Sequence, residues 1–573
     1  MNSMEKSNIF IAECLYKFAD VLEESGDNPY KARAYRRAAR TIIKLDKELI
    51  TLLENNFDIT TLPWVGKSMA SIINYILSTN EIPKIKYQNT KNKIINELKD
   101  IHGLGDKRIA ELNKLNIRTK KSLLEAINAQ RLRHLKWITP AFEERLKNEI
   151  RKPRSQKFIR LYHAHSIIEM LIKNLQEIPS IIQVECSGDF RRKKEISEQI
   201  DILASTPNAS LVINTFIQFK EVKDVLLQNE HRVSVTIWSG VKVNLYLVEE
   251  GSFGAALLYY TGSNEHFAAL IKRASSQQCD LTKTGLFKGN TCVASNHEAE
   301  IYRHLNLSYI APEIRENRGE IEAASHNKLP HLIKLEDIKG DLHSHTNETD
   351  GKATLETMVY AAIKRGYEYL AITDHSKRLV ITNGLDEKRL LKQIQEIDNL
   401  NARINNFLIL KSIEVDILED GSLDICNDVL KELDIVVCSI HSKFKMSEEK
   451  QTERILKAMD NPYFNILGHA TGRLIKSRPP YPINIEKIFQ EARDRNCIIE
   501  LNAQPYRLDI NDNYCKLAKE MGVKIAISSD SHSTRELDYM QFGIYQARRG
   551  WLEKENVINT YHWSDLKKLI KRY

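Results

Sequence analysis

Asp341-Leu-His343-Ser-His345-Thr-Asn-Glu-Thr-Asp350-Gly351 opens the C-terminal part of this chain. An H-x-H pair on a strand end turns both imidazoles to one face, and Asp350 follows after a short turn. Downstream, apolar runs repeatedly stop at a histidine or a carboxylate. His375 follows Tyr369-Leu-Ala-Ile-Thr-Asp374, and Glu414 lies in Leu408-Ile-Leu-Lys-Ser-Ile-Glu-Val. His441 ends Asp434-Ile-Val-Val-Cys-Ser-Ile, and His469 ends Phe464-Asn-Ile-Leu-Gly. Asp530 and His532 close Val523-Lys-Ile-Ala-Ile-Ser-Ser. An apolar strand followed by a helix, repeated from residue 341 to the end, predicts a βα barrel or a doubly wound sheet.

Strand C-termini are where a βα barrel gathers its active site. Of seven histidines in 336–573, six stand at these ends and only His562 is left over. A lone histidine there reads as a packing or surface residue; six with three carboxylates read as a metal centre. Nine N/O ligands exceed the need of one ion and suit two or three. Imidazole with carboxylate fits Mn²⁺, Zn²⁺ or Fe, with no thiolate implied. Such ions supply a nucleophilic hydroxide and stabilise charge on phosphorus, so the expected chemistry is phosphate-ester hydrolysis.

Outside this region the chain changes character. Residues 1 to about 150 are helical in periodicity. Two glycine turns punctuate them, Leu62-Pro-Trp-Val-Gly66-Lys67 and Ile101-His-Gly103-Leu-Gly105. A glycine turn opening a helix presents backbone N–H groups at the positive end of its dipole, which suits a phosphate without reading sequence. Two in tandem, near Asn28-Pro-Tyr-Lys-Ala-Arg-Ala-Tyr-Arg-Arg, are helix-hairpin-helix signatures. They put Gly66, Lys67, Gly103 and Gly105 at a DNA backbone. Residues 131–160 carry ten Lys/Arg against three Asp/Glu, a solvated face or a phosphate track.

The whole chain has 573 residues, 42% hydrophobic and 28% charged, with formal charge +8. That is enough for three or four domains. Eight cysteines without a C-x-x-C pair argue against a disulfide framework or a zinc ribbon. With no signal-like or spanning apolar run, the expected location is the cytoplasm, without a membrane partner.

Between these parts, Ser187-Gly188-Asp-Phe-Arg191-Arg, Glu195, Gln199-Ile-Asp201, Gly251-Ser-Phe-Gly and Tyr259-Tyr-Thr-Gly262-Ser resemble the nucleotidyltransferase signature of family X DNA polymerases. That resemblance implies Gly188 and Arg191 at a triphosphate, and Tyr259 to Gly262 beside the sugar. The family's chemistry needs three carboxylates holding two metal ions. Here those positions are Gln199, Asp201 and Asn244, so the formal charge falls from −3 to −1. Amide oxygens are neutral, weaker ligands for hard cations. Polymerisation is therefore expected to be absent or impaired, with Asp201 as the residual carboxylate. The family's 5′-deoxyribose phosphate lyase is expected to be missing too, because Ile72 stands where its Schiff-base lysine would be.

Residues 336–573 resemble the PHP (polymerase and histidinol phosphatase) domain, a distorted (β/α)7 barrel with a trinuclear site. The resemblance implies nine ligands: His343, His345, Asp350, His375, Glu414, His441, His469, Asp530 and His532. It also implies Arg473 and residues 502–507 at the substrate phosphate. Asp374 is expected to orient an imidazole.

The order of domains resembles bacterial PolX over almost the whole chain. The fold class implied is multidomain α+β: helix-hairpin-helix domains, a nucleotidyltransferase palm and thumb, and the PHP barrel. The boundaries read 1–85, 86–155, 156–318, a linker at 319–335, and 336–573. The expected function is a DNA-repair 3′-5′ exonuclease using Mn²⁺ on gapped, nicked or 3′-ended DNA. The alternatives are a gap-filling polymerase using dNTPs with Mg²⁺ or Mn²⁺, a non-catalytic DNA-end scaffold, or a small-molecule phosphatase.

Overall fold

A computed structural model describes residues 158–570 without interruption. Before them it describes residues 8, 11, 12, 14 and 15, most of 29–79 and most of 108–147. Gly103 and Gly105 lie outside the described residues. The chain divides into two compact units, Met1–Phe158 with Trp238–Gly240, and Ile159–Ile237 with Val241–Tyr573.

In the first unit, Tyr35, Ala38, Ala39 and Ile42 recur at helical spacing along Pro29–Ile43. They bury one stripe against Ile73 and Ile76 of the helix Lys67–Thr79. Ile72 packs partly buried against the same core, as an apolar residue should. A second helical cluster gathers Leu112, Leu123, Ile127 and Leu146. Its helix Lys120–Asn128 starts in a capping box between Thr119 and Ser122.

The second unit begins with a five-stranded sheet. Its strands are β1 (Gln183–Ser187), β2 (Gln199–Ser205), β3 (Val222–Asn229), β4 (Arg232–Ile237) and β5 (Lys242–Val248), in the order β1-β2-β5-β4-β3. Strand periodicity decides what β2 offers. Ile200 and Ile202 enter the core, so Gln199 and Asp201 share the opposite face. The parallel pairing of β2 with β5 then sets Asp201 beside Asn244.

A thumb follows, built on the helices Phe253–Thr261, Asn264–Ser276 and Glu298–His304 and a small antiparallel sheet. Its core holds an arginine, Arg315, fully buried and paired with Glu298. Arg191 also binds both Glu298 oxygens, each at 2.8 Å. Burial works against the charged form, but Arg315 and then Arg191 hold Glu298 down at about 2. Glu298→Ala strands Arg315 in the core and should cost about 3–5 kcal/mol in chemical denaturation. Because the folded pKa lies below the ordinary value, the pair's contribution is complete above about pH 4.3. It is lost as pH falls towards about 2. Acid unfolding of wild type should show that loss, and the variant should not.

Residues 319–335 are not the linker their composition indicates. They contain the helix Glu320–Ser325, whose Ala324 joins the thumb core, while Ile333 enters the barrel core. Glu320 is buried against His266 at 2.6 Å. Few apolar anchors suffice because this charged residue is consumed by a partner the sequence does not reveal.

The barrel has seven parallel strands, each beside the one before: β6 (Gly340–Asp341), β7 (Tyr369–Ile372), β8 (Leu408–Asp416), β9 (Ile435–Ser439), β10 (Ile466–Leu467), β11 (Ile498–Asn502) and β12 (Ile525–Ser528). They read as continuous apolar runs because both faces are covered. The sheet nearly closes on itself. A parallel bridge joins Ser344 to Ser531, and the Ser529 amide donates to Asp341 at 3.1 Å.

Candidate metal centre

Every barrel strand except β11 delivers a predicted ligand. His343 and His345 follow β6, His375 follows β7, and Glu414 lies within β8. His441 and His469 come two residues after β9 and β10, and Asp530 and His532 follow β12. Two of these ligands, His469 (φ 26°) and Asp530 (φ 51°), hold the left-handed backbone region. Non-glycine residues rarely occupy it, and such residues concentrate at functional sites.

The side chains converge. Ligand atoms of His345, Asp350, His375 and His532 form one group that could hold an ion. His343, His345 and Asp530 form a second, and His375, Glu414 and His441 a third. His469 joins through Nε2, 2.9 Å from Glu414 Oε1. Glu414 Oε2 lies 2.7 Å from His375 Nδ1 and 3.6 Å from His343 Nε2. Six of the nine ligands are buried; His441 and His532 are half-buried, and Asp350 is exposed.

The fit to metal is tested by what these atoms bond to. His343 Nε2, both His345 nitrogens, His375 Nδ1, Glu414 Oε2, His441 Nδ1 and His469 Nδ1 are buried without a hydrogen bond. Unpaired buried polar atoms are costly, and here they cluster around common points. Three overlapping groups of nitrogen and carboxylate donors are what a multinuclear centre requires.

The electrostatics agree. Burial, then the neighbouring His532 and His375, pushes His345 down to about 3, so it is a neutral imidazole at working pH. Burial opposes protonation of His375 and His532, but Glu414 and Asp350 lift His375 to about 10, and Asp350 and Asp530 lift His532 to about 9. Burial likewise opposes ionisation of Glu414 and Asp530, but the surrounding histidines hold both well below the carboxylate range. The carboxylates recruit protons where cations would sit, and metal uptake must release them.

The orienting carboxylate is one the sequence reading missed. Glu500 in β11, fully buried, accepts from His343 Nδ1 at 2.6 Å and from the His469 amide at 2.7 Å. β11 is the one strand without a ligand, and a glutamate inside Ile498-Ile-Glu500-Leu was the available signal. Glu500→Gln should therefore weaken metal binding about 10–100-fold while all nine ligands remain. Titration calorimetry with Mn²⁺ checks this.

Asp374 does not orient an imidazole. It accepts from the Thr346 amide and hydroxyl, the Thr349 hydroxyl and Gln393. It thereby braces the turn that carries Asp350. Arg473, expected at a substrate phosphate, instead spans to the palm, where it pairs with both Glu195 oxygens at 2.6 and 3.3 Å. From the segment 502–507 two residues reach the centre: Asn502 Nδ2 donates to Asp530 at 3.0 Å, and Arg507 Nε lies 3.5 Å from the same carboxylate.

The nucleotidyltransferase positions also meet as expected, with different consequences. Gln199 Nε2 donates to both Asp201 oxygens at 2.9 and 3.0 Å. Asn244 Nδ2 donates at 2.7 Å and the Tyr246 hydroxyl at 3.3 Å. The Asn244 oxygen is itself taken by Ser234 at 2.7 Å and Arg232 at 3.1 Å. Asp201 thus sits in a closed set of donors, with a guanidinium alongside. Burial raises its pKa despite them. Gly188 (φ 64°) packs so closely that a Cβ would fall 2.6 Å from Asp201 Oδ2. Asp201, Gln199, Tyr259 and Gly262 line one cleft of about 980 Å³. Arg191, expected at a triphosphate, is held by Glu298 and Thr261.

In the first hairpin, Gly66 has no atom within 4 Å of the position its Cβ would take, and Lys67 beside it is exposed. Trp64 projects from the same turn, with the Arg37 guanidinium 4.3 Å from its ring centre. Among the described residues no helix is long and apolar enough to cross a membrane.

Comparison with known proteins agrees with this organisation. Residues 6–82 match a helix-hairpin-helix domain, 256–316 the DNA polymerase beta thumb, and 341–504 the PHP domain. The DNA polymerase/3′-5′ exonuclease PolX of Bacillus subtilis (strain 168) is 34% identical over 569 residues, 98% of this chain and 99% of that protein. A probable phosphatase of Thermoanaerobacter pseudethanolicus is 32% identical over 231 residues, 38% of this chain and 89% of its own length. Another, from Clostridium novyi (strain NT), is 30% identical over 34% of this chain and 78% of its own length.

Proposed function

Because the chain belongs to the bacterial PolX family of DNA polymerase/3′-5′ exonucleases, we propose that its working active site is the barrel's metal centre. There it removes 3′-terminal nucleotides from gapped or nicked DNA during repair in the cytoplasm. The palm and thumb act as a DNA-binding platform that no longer polymerises. One contrast carries this reading. The barrel presents seven buried ligand atoms without hydrogen bonds, whereas the oxygens of Asp201 already receive bonds from Gln199, Asn244 and Tyr246.

The nine ligands would hold two or three ions, Mn²⁺ by preference. When bound, these supply a nucleophilic hydroxide at neutral pH and neutralise charge developing on phosphorus. Glu414 and Asp530 stay ionised and balance that charge. Arg507 meets a phosphate oxygen, while Gly66 and Lys67 of the first hairpin, with Gly103 and Gly105 of the second, hold the DNA backbone. Water adds across the terminal phosphodiester. The P–O3′ bond breaks, a proton goes to the departing O3′, and a nucleoside 5′-monophosphate leaves.

The test is a 5′-labelled gapped duplex incubated with Mn²⁺, with and without dNTPs. Shortening under both conditions supports the reading. Extension with dNTPs overturns the inactive palm, and would return Gly188, Arg191, Tyr259 and Gly262 to nucleotide binding. No shortening overturns the nuclease. The phosphatase names among the relatives favour a second reading, hydrolysis of small phosphomonoesters. Turnover of p-nitrophenyl phosphate against DNA separates the two.

A further inference from the structure

The loop between His375 and the helix Glu387–Asn401 carries the two most exposed large apolar side chains among the described residues, Val380 at 82% and Ile381 at 92%. Single exposed apolar residues need no explanation. These two are adjacent and β-branched, and they cap a loop whose base is tightly fixed. The Leu385 amide donates to the His375 carbonyl at 2.7 Å, and Ser376 and Leu385 form a bridge. Gly384 lies so close to the Ser376 carbonyl that a Cβ would overlap it. On the other side, Asn383 Nδ2 donates to the Glu348 carbonyl at 3.1 Å, and Arg389 donates to the Asn383 and Glu348 carbonyls, each at 2.7 Å.

The base of the loop is therefore tied to two segments that carry ligands, His375 itself and the turn leading to Asp350. The loop thus springs from the ligand-bearing mouth of the barrel. The tip residues Val380 and Ile381 carry no charge, and the loop's first cation, Lys377, is held at its base. There Lys377 pairs with Glu387 at 2.6 Å, and the backbone of Arg378 is fixed by its amide's bond to Asp424, with the Arg378 side chain exposed. An uncharged β-branched tip offers nothing to a phosphate but fits the flat apolar face of a base. Apolar side chains inserted at base steps unstack them in this way.

We propose that Val380 and Ile381 form a wedge that stacks on the terminal base pair of a DNA duplex and frees its 3′ nucleotide for the metal centre. This rests on the nuclease reading above. It adds a specific consequence: paired and unpaired 3′ ends are handled differently, and the difference resides in two residues that ligate nothing.

The test is the double variant Val380→Ser, Ile381→Ser. Both side chains project into solvent, so the change removes no packing, and thermal unfolding should match wild type. Shortening of blunt duplex ends should fall about tenfold, because unstacking becomes the obstacle. Shortening of a single strand, or of a duplex with mismatched 3′ ends, should be unchanged. Equal loss on all three substrates, or no loss on any, overturns the wedge. A second measurement does not depend on cutting. A duplex with 2-aminopurine at its 3′ end and phosphorothioate terminal linkages is mixed with each protein in Mn²⁺. Fluorescence should rise with wild type and not with the variant. No rise with wild type, or equal rises, overturns the proposal. Wild type that unstacks this probe but shortens no DNA leaves the wedge standing and removes the nuclease reading.

Discussion

Replacing His345 with alanine is expected to lower Mn²⁺-dependent shortening of DNA by more than about a hundredfold, since losing a partner that merely orients a ligand already costs 10–100-fold. His345 is the most exposing choice for three reasons. It belongs to two of the three ligand groups, so one substitution weakens two positions at once. Both of its ring nitrogens are buried without hydrogen bonds, and the nearest carboxylate, Asp530 at 3.3 Å, belongs to the same candidate ligand set. Burial and the adjacent imidazoles keep it neutral, with a pKa of about 3, so protons do not compete for it at working pH. The same isolation predicts little structural damage. DNA binding measured by fluorescence anisotropy in a chelator should match wild type, because the first hairpin's Gly66 and Lys67 belong to the other compact unit. Loss of binding along with cleavage would mean a folding defect. Full cleavage in the variant would place the reaction elsewhere.

Restoring carboxylates at Gln199 and Asn244 together is expected to raise primer extension on gapped DNA by about two orders of magnitude or more, the scale on which a single preorganised electrostatic partner acts. In the native chain the two amides donate to Asp201 and satisfy its charge. With Gln199→Asp and Asn244→Asp these donors become like charges around a carboxyl that burial already raises. Without divalent ions the double variant should therefore be less stable than wild type. Mg²⁺ or Mn²⁺ should return about 2.7 kcal/mol of that at a hundred times its dissociation constant, while wild-type stability changes only through the barrel. Combining the variant with His345→Ala isolates the palm's response. Wild type that extends primers as well as the double variant would show that Asp201 suffices alone.

Much of this was legible in the sequence because periodicity and position are local. Strand alternation alone sets Gln199 and Asp201 on one face. The repeated apolar run ending in a histidine or a carboxylate marks strand C-termini, where α/β folds gather their sites. The nine candidate ligands are read from strand position and from the resemblance to the PHP domain. Which strands adjoin, in a barrel or a doubly wound sheet, is decided by the fold.

What only the tertiary structure decided is which groups use up one another's charge. Arg473 belongs to the barrel, and Glu195, 278 positions earlier, takes its guanidinium. Asp374, next to a ligand in sequence, spends its oxygens on Thr346, Thr349 and Gln393. Glu500, hidden in an apolar strand, is what holds His343. A side chain's residue type states what it could bind, but a buried charge takes the partner that the packed chain brings within about 3 Å. Sequence distance carries no trace of that pairing, and only the folded chain brings the partners together.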